Sequence, residues 1–335
     1  LRIGAVLPHT YLFGGVRRYI ELSNAFSTRG HEFIIYTPDG VSPAWTGMSV
    51  KCMRLAEAGD RDHDVVMTGS PEYLEILKGF PARLRVFYLQ IEKVDREREI
   101  ARTEGVALMA NSKGMMERMR KKYGVRTLDG RGGINPALFH PPAEVRATDS
   151  GPLRVMCYGR TSRPRKGTRF VIKAAESLYR KGYDIELVLF DSMTPGSTDP
   201  RVGFDPGLPF RFYIDLPQDR MAAMYASADV FVSAEHRAGW SNTCAEAAAC
   251  ALPLVCTESG TSDFAVDGLS AIVIKARSPA AIGRALERLY RDREMALRMG
   301  AEGARRILDF TWEKVCDRMS GQFAAVLGGE ERTPG

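Results

Sequence analysis

The chain is expected to fold as α/β, in two Rossmann-like domains of similar size facing a cleft. Three observations predict this. Its 335 residues exceed one ordinary core, at roughly 100–200 residues per domain. Strand and helix patterns alternate from end to end, as in layered α/β proteins with parallel sheets. The alternation breaks once, over Asp129–Pro142, where three glycines and three prolines replace any periodicity. The expected parts are residues 1–140, residues 141–310, and a segment 311–335 that returns to the first domain.

Arg2–Leu7 is a short apolar strand, followed by the turn Gly14-Gly15. Val16–Arg29 reads as an amphipathic helix with Tyr19, Leu22, Ser23 and Phe26 on one face, ended by Gly30. Glu32–Thr37, Asp64–Thr68, Leu84–Leu89 and Val106–Ala110 read as buried strands. Asn111-Ser112 caps the helix Met115–Tyr123. Past the break, strands are expected at Leu153–Tyr158, Ile185–Phe190, Phe210–Ile214, Val230–Val232 and Leu254–Cys256. Helices are expected at Thr168–Lys181, Pro217–Ala226, Asn242–Ala251 and Ala280–Tyr290, the last opened by Ser278-Pro279. A final helix from Thr311 to about Val326 puts Trp312, Val315, Met319 and Phe323 on one stripe.

Composition narrows the function. Hydrophobic residues at 44% and charged residues at 26% exclude a disordered, collagenous or coiled-coil chain. No apolar run approaches the ~18 residues of a membrane helix. Leu1 enters a strand pattern directly, so a signal peptide is expected to be absent or removed. The net charge is +6, and it is uneven. Residues 1–140 hold 21 Lys/Arg against 16 Asp/Glu, whereas 141–335 hold 26 against 25. The excess lies in Arg96–Arg102 and Arg118–Arg126. Such a patch suits phosphate, an acidic glycan or an anionic membrane surface, or serves as a solvated helix face. No nucleic-acid recognition motif accompanies it. The six cysteines form no Cys-x-x-Cys pair, which points away from zinc and disulfides and toward a reducing cytoplasm.

Three segments carry chemistry. Gly14-Gly15 lets backbone approach a ligand at a helix start, where free N–H groups favour an anion. Arg17 and Arg18 add charge behind it, with at least one expected to be solvated. Gly159–Gly167 reads GRTSRPRKG where a strand meets a helix, and its four cations would attract a pyrophosphate and stabilise a departing nucleotide. Ser233–Cys256 runs from a strand through Gly239-Trp240-Ser241 into a helix capped by Ser241, Asn242 or Thr243. Glu246 lies one turn into that helix, where a carboxylate can accept both ribose hydroxyls. Asp60, Asp62 and Asp64 around His63 have the look of a metal site, but read better as a polar turn before a strand. His9 follows the first strand, and Asp191-Ser192 closes another without an assigned role.

Together these segments resemble the retaining glycosyltransferases of family 4, with the GT-B fold, over nearly the whole chain. The stretches LRIGAVLP…GGVRRYIELSNAFSTRGHEF and ANSKGMMERMRKKYG…GINPALFHPP are similar to the family's acceptor domain and interdomain crossing. GRTSRPRKGT is similar to its phosphate loop, with Arg160 and Lys166 one residue further apart than usual, so that Arg165 or Lys166 supplies the second cation. AGWSNTCAEAAACALPLV matches the helix whose second Glu binds ribose, which falls on Glu246; the first Glu of that motif falls on Ala238, with Glu235 and His236 just upstream as partial substitutes. FTWEKVCDRM resembles the closing helix. The family's sugar-contacting His falls on Gln90. That Gln, Ala238 and the longer loop resemble the rhamnosyltransferase-like branch.

The resemblance implies transfer of a sugar from a nucleotide-diphosphate sugar to a glycan, lipid-linked or small-molecule acceptor, with retention and with no cofactor or metal. Arg160 and Lys166 are the expected catalytic residues. Gly14, Gly15, Gln90, Arg165, Glu235, His236, Gly239, Trp240, Ser241, Asn242, Thr243 and Glu246 are the expected substrate-binding set. The expected location is the cytoplasm, with peripheral contact at the inner membrane face through the first domain. The rivals are a nucleotide-sugar 2-epimerase of the same fold and a non-catalytic nucleotide-sugar-binding subunit.

Overall fold

The structure, a computed structural model, describes residues 1–143, 151–193, 196–275 and 277–329, with the Asp60 side chain also outside the description. The chain divides into a unit made of Leu1–Gly133 with Phe310–Gly335 and a unit made of Ile134–Asp309.

The first unit is built on the strands β1 (Arg2–Val6), β2 (Glu32–Thr37), β3 (Cys52–Arg54), β4 (His63–Thr68), β5 (Ala82–Leu89), β6 (Ala107–Ala110) and β7 (Leu128–Asp129). All pair in parallel, in the order β3-β2-β1-β4-β5-β6-β7. The helices between them are α1 (Gly14–Ser27), α2 (Leu74–Gly79), α3 (Glu97–Ile100) and α4 (Lys113–Tyr123). Both sheet faces are covered, so the strands read as apolar runs rather than alternations. Ser112 caps α4 by accepting from Met115 N at 3.2 Å.

The second unit repeats the plan with β8 (Leu153–Tyr158), α5 (Thr168–Arg180), β9 (Ile185–Asp191), β10 (Phe210–Ile214), α6 (Met221–Ala226), β11 (Val230–Ser233), α7 (Asn242–Ala249), β12 (Leu254–Cys256), β13 (Ala271–Val273), α8 (Pro279–Arg291) and α9 (Arg293–Ile307). Its parallel order is β10-β9-β8-β11-β12-β13. The final helix, α10 (Trp312–Gly328), belongs to the first unit. Its stripe Trp312, Val315, Met319 and Phe323 lies in the same core as Tyr19, Leu22 and Phe26 of α1. In each sheet the strand order reverses beside the first strand, between β1 and β4 and between β8 and β11. Crevices beyond the carboxyl ends of such strands are where open α/β sheets take ligands.

The structure corrects the expectation for the arginine pair behind Gly15. Arg18 is only 2% exposed. Its guanidinium donates to Tyr88 Oη at 2.8 Å and to the carbonyls of Gly130 and Gly132, and lies 5.2 Å from the Trp312 ring. Arg17 is mostly covered and faces Glu21 at 3.8 Å. Arg18 thus fixes the segment after β7 against α1 and α10 instead of facing an anion.

The basic stretches are largely matched by nearby carboxylates. Arg118 and Lys122 both bond Glu97, Arg96 bonds Glu99 and approaches Glu75, and Lys121 bonds Glu117. Burial alone would raise the Glu97 carboxyl. Bonds from Arg118, Lys122 and Tyr123 outweigh it and bring the pKa down to about 2.

Candidate functional site

In the second unit the candidate residues gather at the carboxyl ends of β8 and β11. The loop after β8 turns at Gly167, whose φ of +71° is left-handed and where a Cβ would lie 2.4 Å from Ala234 O. Only glycine fits both constraints. The preceding residues Pro164–Lys166 form a single 3₁₀ turn, which aims Arg165 and Lys166 toward the loop after β11. His236 N donates to Arg165 O at 2.9 Å and ties the two loops together.

Arg160 does not stand as a free cation. Its Nε donates to Asp191 Oδ2 at 2.7 Å, and its Nη2 donates to Ser192 O. Both side chains of the pair are buried. Asp191 ends β9, the neighbour of β8, so the topology supplies the partner that sequence reading left without a role.

Lys166 Nζ lies 2.8 Å from Glu235 Oε1 and 2.9 Å from Oε2, and Arg165 Nη1 lies 3.3 Å from Oε1. The ammonium also sits 5.3 Å from the Tyr158 ring centre. Glu235 was expected to reach donor sugar; here its buried carboxylate holds the two loop cations. Beneath the pair is a cavity of about 10 Å³, the size of one water, reaching Thr243 in the first turn of α7.

The loop carrying Gly239, Trp240 and Ser241 is fastened to the strand-end segment after β12. Ser241 N donates to Gly260 O at 2.8 Å, Ala238 N donates to Ser259 Oγ at 2.8 Å, and Thr257 Oγ1 donates to Glu235 O. Trp240 packs on Phe264 at 5.0 Å. Ser241 occupies the N-cap of α7 and makes no side-chain cap bond. Asn242 and Thr243 begin the helix and are partly exposed.

Glu246 is buried one turn into α7 and accepts a 2.8 Å bond from Tyr225 Oη of α6. Tyr225 was not a sequence candidate. A Tyr on a short helix gives no signal until the fold sets it against the carboxylate 21 residues later. His236 Nε2 lies 2.9 Å from Arg277 Nη2. Burial, then the Arg277 and Arg237 charges, lower its pKa, so a neutral ring accepts from Arg277. Burial pushes the Cys157 thiol up to about 12 and the Cys244 thiol to about 11, so both stay protonated within the apolar strand and helix.

In the first unit, Gly15 and Gln90 meet at the carboxyl ends of β1, β4 and β5, while Gly14 opens α1 outside the cavity they line. A cavity of about 190 Å³ there is lined by Gly15, His9, Phe13, Tyr19, Ser70 and Gln90, among others. A Cβ on Gly15 would lie 2.5 Å from Gln90 Oε1, so the glycine turn is what lets this side chain in. Asn111 Nδ2 donates to Gln90 O at 3.0 Å and fixes the backbone.

A roomier space of about 350 Å³ lies at the opposite, amino-terminal end of the same sheet, beside Arg2, Arg61 and His63. Several of its polar groups have partners: His63 bonds Tyr36 Oη and Arg61 O, and Glu32 bonds Lys51 and faces Arg61. Among the described residues no group of three or more His, Cys, Asp or Glu is placed to hold a metal ion. Among them, too, no helix is long and apolar enough to cross a membrane.

Residues 152–292 match the family described as Glycosyl transferases group 1. The chain is 26% identical over 173 residues to the capsular polysaccharide biosynthesis glycosyltransferase CapM of Staphylococcus aureus, across 50% of this chain and 44% of that protein. It is 24% identical over 211 residues to the D-inositol 3-phosphate glycosyltransferase of Corynebacterium glutamicum, across 57% and 50%. The chain thus spans about half the length of the curated relatives it matches. In three dimensions it resembles sucrose-phosphate synthase from Thermosynechococcus elongatus, with a TM-score of 0.77 at 16% identity over 98% of this chain and 99% of that one. It also resembles Anabaena HepE in complex with UDP, with a TM-score of 0.74 at 13% identity over 97% and 100%. The fold is therefore that of the two-domain GT-B glycosyltransferases, and within it residues 152–292 match Glycosyl transferases group 1.

Proposed function

We propose that the protein is a glycosyltransferase that moves a sugar from a nucleotide-diphosphate sugar to a hydroxyl acceptor of the glycan or lipid-linked class, with retention and without a metal. The observation that carries the reading is the convergence, in the second unit, of Lys166, Arg165, the start of α7 and Glu246 at the carboxyl ends of β8 and β11. Lys166 and Thr243 of the first turn of α7 line one small cavity, which sets the loop cations beside the helix start, with a carboxylate one helical turn further on. CapM and the inositol phosphate enzyme, named as glycosyltransferases, and HepE, bound to UDP, support the same reading.

In the proposed reaction the bond between the anomeric carbon and the diphosphate oxygen breaks, and its electron pair leaves with the diphosphate. The acceptor oxygen bonds the anomeric carbon on the same face, and its proton passes to the diphosphate. Lys166 and Arg165 meet the charge that develops on the leaving group. Glu246, oriented by Tyr225, takes the ribose hydroxyls. The cavity beside Gln90 takes the acceptor side of the reaction. Gln90 and Ala238 favour the rhamnosyltransferase-like branch. The test is a panel of nucleotide-diphosphate sugars with an acceptor extract, read as nucleoside diphosphate release and as the product anomer by NMR, with and without EDTA. Release that requires no acceptor, or an inverted product, rejects the reading; loss of activity in EDTA rejects its metal-free part.

A further inference from the structure

We infer that Glu235 is an internal competitor for the diphosphate: it holds Lys166 and Arg165 while the site is empty and speeds departure of the nucleoside diphosphate product. The inference rests on the proposed function of this site. Two cations share one carboxylate, through contacts of 2.8, 2.9 and 3.3 Å. Of the loop's other two cations, Arg160 is paired separately with Asp191, which leaves Arg163 outside the count. The loop therefore presents less positive charge than its GRTSRPRKG sequence suggests.

Glu235 is buried, and the backbone on either side of it is tied down. Its side chain is 4% exposed, and its carbonyl is bonded by Thr257 Oγ1 while the next residue's N–H is bonded to Arg165 O. A diphosphate that reaches Lys166 and Arg165 consequently arrives beside a fixed carboxylate. Like charges at such separations repel strongly when water is partly excluded. The repulsion grows with the charge of the ligand. A nucleotide sugar carries its diphosphate as a diester, whereas the free nucleoside diphosphate has an additional ionisable terminal oxygen. Glu235 therefore opposes product more than donor. A carboxylate that merely braced the two cations would do the reverse, because removing it would scatter them and weaken both ligands.

The experiment is isothermal titration of UDP, GDP, ADP and dTDP, and of the sugar nucleotide of whichever diphosphate binds, into wild type, Glu235→Gln and Glu235→Asp. Gln keeps an acceptor oxygen for Lys166 and removes the charge. It is expected to bind the diphosphate at least about tenfold more tightly, because one like charge about 4 Å away is worth from about fivefold in bulk water to about 10³-fold at an effective dielectric of about 20, and the sugar nucleotide by a smaller factor. Asp keeps the charge but withdraws it by one methylene, so its affinity is expected between the two. The same variants should show a larger thermal shift with diphosphate, and unliganded melts report folding. Equal or weaker diphosphate binding in both variants overturns the inference, as does a gain that is the same for diphosphate and sugar nucleotide. If no diphosphate binds wild type, the proposed function falls, and the inference with it. If wild type binds and the variants do not gain, only the inference falls.

Discussion

Arg160 Nε donates to Asp191 Oδ2 at 2.7 Å, and the Asp191 side chain has no exposure to solvent at all. The first cation of a loop suited to phosphate is thus also half of a buried ion pair between the ends of two adjacent strands. Arg160→Ala leaves a buried carboxylate without its partner, so the expected loss of stability is about 3–5 kcal/mol. Urea unfolding of Arg160→Ala, Asp191→Leu and an Arg160→Met/Asp191→Leu pair checks this. The double variant is expected to recover most of the loss, since an apolar replacement of both partners removes the stranded charge. Equal stability of wild type and Arg160→Ala contradicts it.

Lys166 should behave differently. In Lys166→Ala, Glu235 keeps Arg165, so the melting temperature is expected to fall less than in Arg160→Ala. Turnover with the nucleotide sugar is expected to drop by about 10²-fold, the scale for losing one donor aimed at developing charge. A Lys166→Ala enzyme with full kcat would place the leaving-group charge elsewhere.

Tyr225 and Glu246 form a pair whose two halves can be separated. Tyr225→Phe removes the donor to Glu246 Oε2 and keeps the ring among Phe139, Phe190 and Phe231. A charge-assisted bond is worth about 1.5–3 kcal/mol, which sets the upper limit of the effect. The donor KM should rise in Tyr225→Phe and in Glu246→Gln by more than kcat falls. A 2′-deoxynucleotide donor should show a smaller penalty from Glu246→Gln than the ribonucleotide does. A collapsed kcat at unchanged donor affinity would instead mark Glu246 as an acid or base.

Much of this architecture could be read from the sequence. The strands β1, β2, β4, β5, β6 and β8 to β12 are apolar runs bounded by turns, and the caps at Ser112 and Ser278 lie where the sequence puts them. The missing elements share physical causes. β3, β7 and β13 are two or three residues long and give no period to detect. Helix α9 contains Gly300 and Gly303, which lower helix propensity by about 1 kcal/mol each. The packing explains Gly300: a Cβ there would lie 2.0 Å from Ala251 O. At the site, the sequence shows which loops end strands and which residues they carry. It does not show that Glu235 turns to Lys166 or Asp191 to Arg160, because those partners are 69 and 31 residues apart and meet only through strand order.

Glu97 makes acid stability testable. Its folded pKa of about 2 lies below the unfolded carboxylate range, so its contribution is present above that range and is lost as pH falls from about 4.5 toward 2. In Glu97→Gln this part of the pH dependence should flatten while stability at neutral pH drops. Urea midpoints at pH 7, 4 and 3 in the two proteins measure it. Parallel curves in wild type and variant would show that the Arg118, Lys122 and Tyr123 bonds contribute nothing to acid stability.

Phe26 of α1 stacks on Phe323 of α10 at 6.4 Å, and Arg29 bonds Asp317 at 2.6 Å. Helix α1 therefore waits for α10, about 300 residues later in synthesis. On a ribosome adding about 5–20 residues per second, roughly 10–35 s separate emergence of Gly133 from that of Phe310. During that interval the continuous segment Ile134–Asp309 can finish folding, while the segment born first keeps an apolar face uncovered. Birth order and folding order are thereby inverted. A nascent chain stalled or cut short before Phe310 would carry a finished second unit and an unfinished first one. It would be the first unit that a chaperone or protease recognises.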